Sequence, residues 1–355
     1  MSDIRLLRTR RIATVPLFDL PLAELETYAP ALDEPADLDA FWAGTLAGSR
    51  AAGGDLAETV RLERVDAGLE TVVVDDVTFP GFDGQPVRAW LVRPAATEGA
   101  VAAGDAAPLP AVVEYLGYGG GRGLPHEHLL WASAGFAHLV VDTRGQGSGW
   151  GAGGDTPDPA GSGPATPGFL TRGILDPHEH YYRRVITDAV RAVDAVRTVD
   201  GIDPARVAVT GVSQGGGLTI AVAGLTEGLV AAMPDVPFLT HYRRAVEITD
   251  RPPYSEITRY LAVHREHEDA VFRTLSYLDG ASLARRATAP GLFSVALMDP
   301  VCPPSTVYAA YNGWAAGAGA GGVERAIDVY RFNEHEGGQA YRFARQLAWL
   351  REHTR

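Results

Sequence analysis

Over about 240 residues, short runs rich in β-branched side chains alternate with longer amphipathic stretches, and that pattern predicts a mostly parallel, doubly wound α/β sheet. The predicted strands are residues 111–116, 137–142, 207–210, 229–235, 291–297 and 326–332. Between them lie a predicted helix at 125–134 and a crossover helix at 188–199, with Ala189, Val193 and Val196 facing inward. A helix through 218–223 and a closing helix at 338–353 complete the alternation. Ahead of this region, residues 60–65, 70–79 and 87–93 have antiparallel strand character, and the turn Gly81-Phe82-Asp83-Gly84 divides the last two.

Four segments decorate that pattern. Residues 19–28 and 37–46 are amphipathic, separated by Pro30 and Pro35, and Phe41, Trp42 and Leu46 share an apolar face. They predict an N-terminal helical arm, about residues 1–55, packed on the body. Residues 94–108 are Ala/Gly-rich and predict a loose surface loop. Residues 149–168 are dominated by Gly, Pro, Ala and Asp and build no regular core element; such excursions form substrate or subunit contacts more often than core. Residues 237–283 form a charged, aromatic, helical insertion without strand character, placed as a cap over the strand ends. No internal repeat is visible, and the chain reads as one domain over 1–355 with these additions.

Composition narrows the partners. A chain of 355 residues, 46% hydrophobic and 21% charged, can bury a sizeable core. Its net charge of −13 opposes nucleic-acid phosphates and acidic membrane surfaces, so a neutral or weakly charged substrate fits better. There is no lysine, and every basic residue counted is arginine. One cysteine, Cys302, excludes an intrachain disulfide and a cysteine-based metal cluster and suits a reducing cytoplasm. Several arginines lie within residues 1–11, but no apolar run of secretory length follows, and no stretch approaches the roughly twenty apolar residues of a membrane span. A cytoplasmic, soluble protein is expected, with no nucleic-acid or membrane partner.

The candidate chemistry sits on Gly211-Val212-Ser213-Gln214-Gly215, between the strand at 207–210 and the helix through 218–223. Strand, G-x-S-x-G, helix is the context of a nucleophile elbow: a tight, strained turn that exposes the serine Oγ above the sheet. The backbone N–H of Gln214 then sits at a helix N-terminus, where it can stabilise an oxyanion. A serine hydroxyl is a weak nucleophile without a base, and the base needs an orienting acid. In this architecture both follow the serine, in the order Ser, acid, His, at strand ends. The strand at 291–297 ends in Met298-Asp299-Pro300, and the strand at 326–332 ends in Asn333-Glu334-His335. Ser213, Asp299 and His335 are therefore the candidate triad. Asp235 also ends a strand and is the rival acid; Glu336 reads as a carboxylate at a helix N-terminus. The glycine run 117–123 after the strand at 111–116 is placed where a second oxyanion loop belongs. A phosphate-cradling reading lacks the Lys-Ser/Thr ending and the G-x-G-x-x-G spacing. His126 and His128 invite a metal reading, but no third ligand is visible nearby, and no metal or cofactor is expected. Pro237 and Phe238, after the Asp235 strand, could wall a small acyl pocket or simply pack.

Taken together, these motifs resemble the acetyl xylan esterases and cephalosporin C deacetylases, carbohydrate esterase family seven. The resemblance rests on Arg144-Gly145-Gln146, on Gly211 to Gly216 with Gln214 after the serine, and on His335-Glu336. Asp299-Pro300-Val301-Cys302-Pro303-Pro304, Tyr115-Leu116-Gly117-Tyr118, Asp19-Leu20-Pro21-Leu22 and Phe41-Trp42 extend it over nearly the whole chain. It implies an α/β-hydrolase fold and hydrolysis of acetate esters of short xylo-oligosaccharides and of cephalosporin C. It also implies an oxyanion hole from the backbone N–H groups of Tyr118 and Gln214, and a structural brace at Arg144, Gly145 and Gln146. A homo-oligomer is implied as well, commonly a hexamer with sites facing an interior cavity. The 149–168 excursion departs from the family by looking long and loosely specified. The alternative on the same residues is a broader carboxylesterase or lipase. A non-catalytic binding protein is disfavoured by the intact Ser, Asp and His, and a peptidase lacks the propeller domain of oligopeptidases of this fold.

Overall fold

A computed structural model describes residues 17–97, 99, 107–160, 163–317 and 322–355. The arginine-rich start, part of the 94–108 loop and residues 161–162 of the excursion lie outside the described residues. Among the described residues nine strands form one sheet: β1 (Arg61–Val65), β2 (Val72–Pro80), β3 (Pro86–Pro94), β4 (Leu109–Tyr115), β5 (Ala137–Val141), β6 (Ile202–Val212), β7 (Leu229–Asp235), β8 (Gly291–Ala296) and β9 (Arg325–Tyr330). Their spatial order is β1-β2-β3-β5-β4-β6-β7-β8-β9. The first three pair antiparallel with each other, and β3 pairs antiparallel with β5. From β5 across to β9 every pairing is parallel.

The period of two along the central strands explains why they read as unbroken apolar runs. Ala111 and Val113 of β4, with Val207 and Val209 of β6, face one core, where helix Tyr181–Val196, helix Gln214–Leu225 and the arm pack. Val112 and Ala208 face the other, against Trp131, Trp349 and Leu350. Strands covered on both faces carry near-continuous hydrophobic runs, and helices must lie on each side.

Several helix boundaries differ from expectation. Helix Tyr181–Val196 begins seven residues before the expected start, capped by His180, whose ring nitrogen accepts the Tyr182 N–H at 3.1 Å. Its first turn buries Tyr181, Tyr182 and Arg184 together, and its cap is a histidine rather than a small polar residue, so the usual signal of a helix start is missing. Of the helix expected at 125–134, a short 3-10 turn, Pro125–Glu127, and a helical turn, Leu130–Ser133, are formed. His128 interrupts them with φ −120° and ψ 48°, its ring bonded to the Arg122 carbonyl. In the arm only Leu22–Leu25 of residues 19–28 is helical, whereas the second helix extends over Leu38–Gly53. Phe41, Trp42 and Leu46 are buried as their spacing requires, and Trp42 Nε1 donates to the Tyr277 carbonyl at 2.8 Å, joining arm to cap. The insertion between β7 and β8 holds four helices, Tyr242–Ile248, Ser255–Val263, Glu268–Ser276 and Gly280–Ala284. No helix among the described residues is long and apolar enough to cross a membrane.

The 149–168 excursion is better anchored than its composition indicates. Asp142 Oδ2 accepts the N–H groups of Asp155 and Thr156 at 2.6 and 2.8 Å. Asp158, whose side chain is almost inaccessible, receives Arg184 at 2.8 and 3.0 Å, and Asp155 receives the buried Arg122 at 2.9 Å. Its aspartates are partners for buried guanidiniums, which composition alone cannot show.

Candidate active site

Ser213 occupies the turn between β6 and helix Gln214–Leu225, with φ 60° and ψ −115°. A positive φ in a residue with a Cβ is strained, at a cost of order 1–3 kcal/mol, and the surroundings over-determine it. Ser213 N–H donates to the Asp235 carbonyl at 2.9 Å, while its own carbonyl accepts from Gly217 and Phe238 at 3.0 and 2.9 Å. Glycine is obligatory on both sides. A Cβ on Gly211 would lie 2.4 Å from the Gly215 carbonyl carbon, and one on Gly215 would lie 2.0 Å from the Tyr115 oxygen.

The structure brings together Ser213, at the elbow after β6, and the two residues that the late strands supply. Ser213 Oγ donates to His335 Nε2 at 2.8 Å, and His335 Nδ1–H donates to Asp299 Oδ2 at 2.8 Å. A carboxylate oxygen only accepts, so Nδ1 carries the proton and Nε2 is left free to take one from the hydroxyl. The other Asp299 oxygen accepts the N–H groups of Val301 and Cys302 at 2.8 and 2.9 Å, which fixes the carboxylate beside its imidazole. Met298 N–H donates to the Asn333 carbonyl at 3.2 Å, tying the acid loop to the histidine loop. The Asp299 side chain is buried, and His335 is about one-quarter exposed (23%), open to the site.

Asp235, the rival acid, is directed elsewhere. Its carboxylate receives Arg342 Nε at 2.7 Å and Gln346 Nε2 at 2.9 Å, both from the closing helix Gln339–His353. Burial pushes its carboxyl up to about 6, against the pull of the Arg342 charge. Glu336 lies just ahead of that helix and accepts from the side chains of Asn333 and Gln339.

Ser213 and His335 open into a cavity of about 400 Å³ lined also by Gly117, Tyr118, Trp150, Pro252, Pro253 and Val301. The expected wall residues Pro237 and Phe238 are absent from that lining. Phe238 is buried, because its N–H is spent on the Ser213 carbonyl and its ring is carried behind Tyr118, centroids 6.1 Å apart. Pro237 packs on the start of the elbow helix, where a Cβ on Gly216 would meet it at 3.0 Å. The wall comes from a later proline pair of the same insertion.

Gln214 is the first residue of its helix, so its backbone N–H has no acceptor within that helix. Its side chain sits in a buried polar network. Gln146 Nε2 donates to Gln214 Oε1 at 2.8 Å, and Gln146 Oε1 accepts the Gly119 N–H at 2.7 Å. Tyr182 OH donates to Gln214 Oε1 at 2.8 Å, and Tyr181 OH donates to the Arg144 carbonyl at 2.5 Å. Arg144 itself is buried in a two-point ion pair with Asp188, at 2.5 and 2.7 Å. Arg144 and Gln146 thus join the two loops beside the serine, with Gly145 in the left-handed region at φ 68°. No sequence signal marks Tyr181, Tyr182, Trp150 or the Pro252-Pro253 pair; they are placed only by the path of the chain.

Among the described residues, Asp299, Cys302 and His335 form the group whose ligand atoms lie close enough, within 4.8 Å, to share a metal ion. An ion there would displace the His335–Asp299 hydrogen bond, and burial raises the Cys302 thiol well above its ordinary value, which disfavours the thiolate a metal would need. Among the described residues His126 and His128 belong to no such group.

Residues 15–353 match the profile of the acetyl xylan esterase (AXE1) family. The chain belongs to that family. It is similar in structure to the acetyl xylan esterase from Paenibacillus sp. R4, with a TM-score of 0.84 and 39% identity, covering 94% of this chain and 100% of that one. A second similar structure is acetyl xylan esterase 1 from Thermoanaerobacterium sp. JW/SL YS485, with a TM-score of 0.82 and 29% identity over 94% of this chain and 99% of that one. Among curated proteins, acetyl esterase Axe7A of Xylanibacter ruminicola is 29% identical over 147 residues, which is 41% of this chain and 32% of that protein. The chain thus matches about a third of that relative's length. A Pyrococcus horikoshii acylaminoacyl peptidase, 16% identical with a TM-score of 0.54 over 80% of this chain and 41% of its own, shares the α/β-hydrolase fold alone.

Proposed function

We propose that this protein is a serine esterase that removes acetyl groups from xylo-oligosaccharides and related small alcohols, cephalosporin C among them. The observation that carries the reading is the continuous hydrogen-bonded chain from Ser213 Oγ through His335 to Asp299. In the proposed reaction His335 Nε2 takes the Ser213 proton as Oγ bonds to the ester carbonyl carbon, and the carbonyl oxygen gains the negative charge. The backbone N–H groups of Tyr118 and Gln214 hold that charge; one such donor contributes about 10²- to 10³-fold to turnover in comparable sites. The tetrahedral intermediate collapses, the C–O bond to the alcohol breaks, and the alcohol leaves with the proton from His335. Water, deprotonated by the same imidazole, then adds to the acyl carbon; the bond from that carbon to Ser213 Oγ breaks, acetate is released and Oγ takes the proton back from His335. Asp299 holds the tautomer and stabilises the imidazolium between these steps.

The preference for a short acyl group rests on the family to which the chain belongs, and Tyr118, Pro252, Pro253 and Val301, which line the cavity with the serine, are the residues an acyl chain would meet. Hydrolysis of p-nitrophenyl acetate, butyrate and octanoate, run beside acetylated xylose and cephalosporin C, tests this. Each ethylene added to the acyl chain is expected to lower kcat/KM by about tenfold or more, since overfilling a formed pocket costs 1–3 kcal/mol. Activity that rises with chain length would replace this reading with a lipase-like one on the same residues.

A further inference from the structure

We propose that Glu256, in the cap helix Ser255–Val263, is a positioning residue for catalysis: it holds Tyr118 so that the Tyr118 backbone N–H faces the ester oxygen. This rests on the esterase reading above and names a part of its machinery that lies outside the three reacting residues. Glu256 is buried, yet it carries a carboxylate whose two oxygens are each engaged. Tyr118 OH donates to Oε1 at 2.5 Å, and Leu170 N–H donates to Oε2 at 2.9 Å. The same phenol oxygen accepts the Phe169 N–H at 2.6 Å. One carboxylate therefore ties together the cap, the end of the glycine-rich excursion and the loop after β4.

The approach is tight. Gly168 has φ 131°, and a Cβ there would fall 2.1 Å from Glu256 Oε1, so the excursion is shaped to let its backbone reach this carboxylate. Burying a carboxylate costs several kcal/mol unless its hydrogen bonds are met, and a site that only needed filling would be filled by an apolar side chain. What the three bonds accomplish is to fix one residue from its far end. The Tyr118 ring is packed edge-on against Phe169 and Phe238, its carbonyl accepts Trp150 Nε1 at 2.7 Å, and the next N–H, of Gly119, is bound by Gln146 at 2.7 Å. With ring, hydroxyl and flanking peptide all held, the Tyr118 N–H has one direction left to it. Orientation of such donors before the charge develops is the source of their effect on turnover.

Glutamine is an informative replacement, because it puts an NH2 donor where one of the two accepting oxygens stood, so either the phenol or the Leu170 N–H loses its acceptor at that position. The test measures acetate ester hydrolysis by Glu256→Gln, Tyr118→Phe and the double variant in the full chain, with kcat expressed per active site titrated by a serine-directed phosphonate. Each single variant is expected to lose about 10- to 100-fold in kcat, with KM within about threefold, and the double variant is expected to be no worse than the weaker single one. A structural role alone would lower the melting temperature and the titrated fraction while leaving kcat per site unchanged. Should Glu256→Gln fail to fold, Tyr118→Phe decides alone, since it removes only the phenol oxygen. Wild-type kcat per site in Tyr118→Phe, or losses that multiply in the double variant, would overturn the proposal. Ser213→Ala run in parallel separates the two failures: if it retains full activity the serine mechanism falls and this inference with it, whereas an inactive Ser213→Ala beside an unaffected Tyr118→Phe overturns this inference alone.

Discussion

Ser213→Ala is expected to lower kcat for acetate esters by at least about 10⁴-fold, with a circular dichroism spectrum and melting temperature close to those of the wild type. The size follows from what the hydroxyl does. Without Oγ no acyl-enzyme can form, and the remaining rate comes only from binding and the oxyanion donors, acting on water. The fold should tolerate the change because the Oγ hydrogen bond to His335 lies at the open end of the site, outside the packed core. The backbone bonds that brace the elbow, from Ser213 N–H to Asp235 and from Gly217 and Phe238 to the Ser213 carbonyl, are untouched. Alanine also keeps the strained φ that serine already adopts there. Steady-state kinetics on enzyme freed of wild-type contamination would check this, and a loss below about tenfold would remove Ser213 from the nucleophile's role.

Asp299→Asn and Asp235→Asn should separate two carboxylates that the sequence presents alike. Asparagine at 299 can offer an N–H toward His335 Nδ1 and so stabilises the wrong tautomer, with Nε2 protonated and unable to accept the serine proton. A fall in kcat of about 10³- to 10⁴-fold is expected, with KM little changed. At 235 the consequence falls on stability instead. Arg342 and Gln346 lose a charged acceptor in a buried setting, and truncating one partner of such a pair costs about 3–5 kcal/mol at most. Asp235→Asn should therefore unfold at lower urea while the folded enzyme keeps turnover within about tenfold of the wild type. The opposite ranking would transfer the acid's role to Asp235.

Much of this was legible in the chain because the decisive signals are local. The apolar run at 207–210, the glycines at 211 and 215 and the helix after them leave the serine little choice of backbone, and the contacts that a Cβ would make there give the reason. Asp299 and His335 were legible through order, since each ends a late strand of a parallel sheet and such strands deliver their ends to one rim. The pocket was not legible in this way. Pro237-Phe238 and Pro252-Pro253 both lie in the cap insertion, and which pair faces the serine depends on the turn that commits the Phe238 N–H to the Ser213 carbonyl. The start of helix Tyr181–Val196 was not legible because its cap is His180 rather than a small polar residue and its first turn opens on two buried tyrosines. Glu256 resembles any acidic residue in the first turn of a surface helix until Tyr118 and Leu170 are seen to converge on it.

The measurement that bears most directly on the account is the capture of the acyl-enzyme. Wild-type protein mixed with excess p-nitrophenyl acetate, quenched in acid within the first turnovers and digested for mass spectrometry, should carry one added acetyl group on the peptide containing Ser213. The same peptide from Ser213→Ala should carry none. Hydrolysis at the wild-type rate with no acetyl on Ser213 at any quench time, together with hydrolysis retained in Ser213→Ala, would contradict the account.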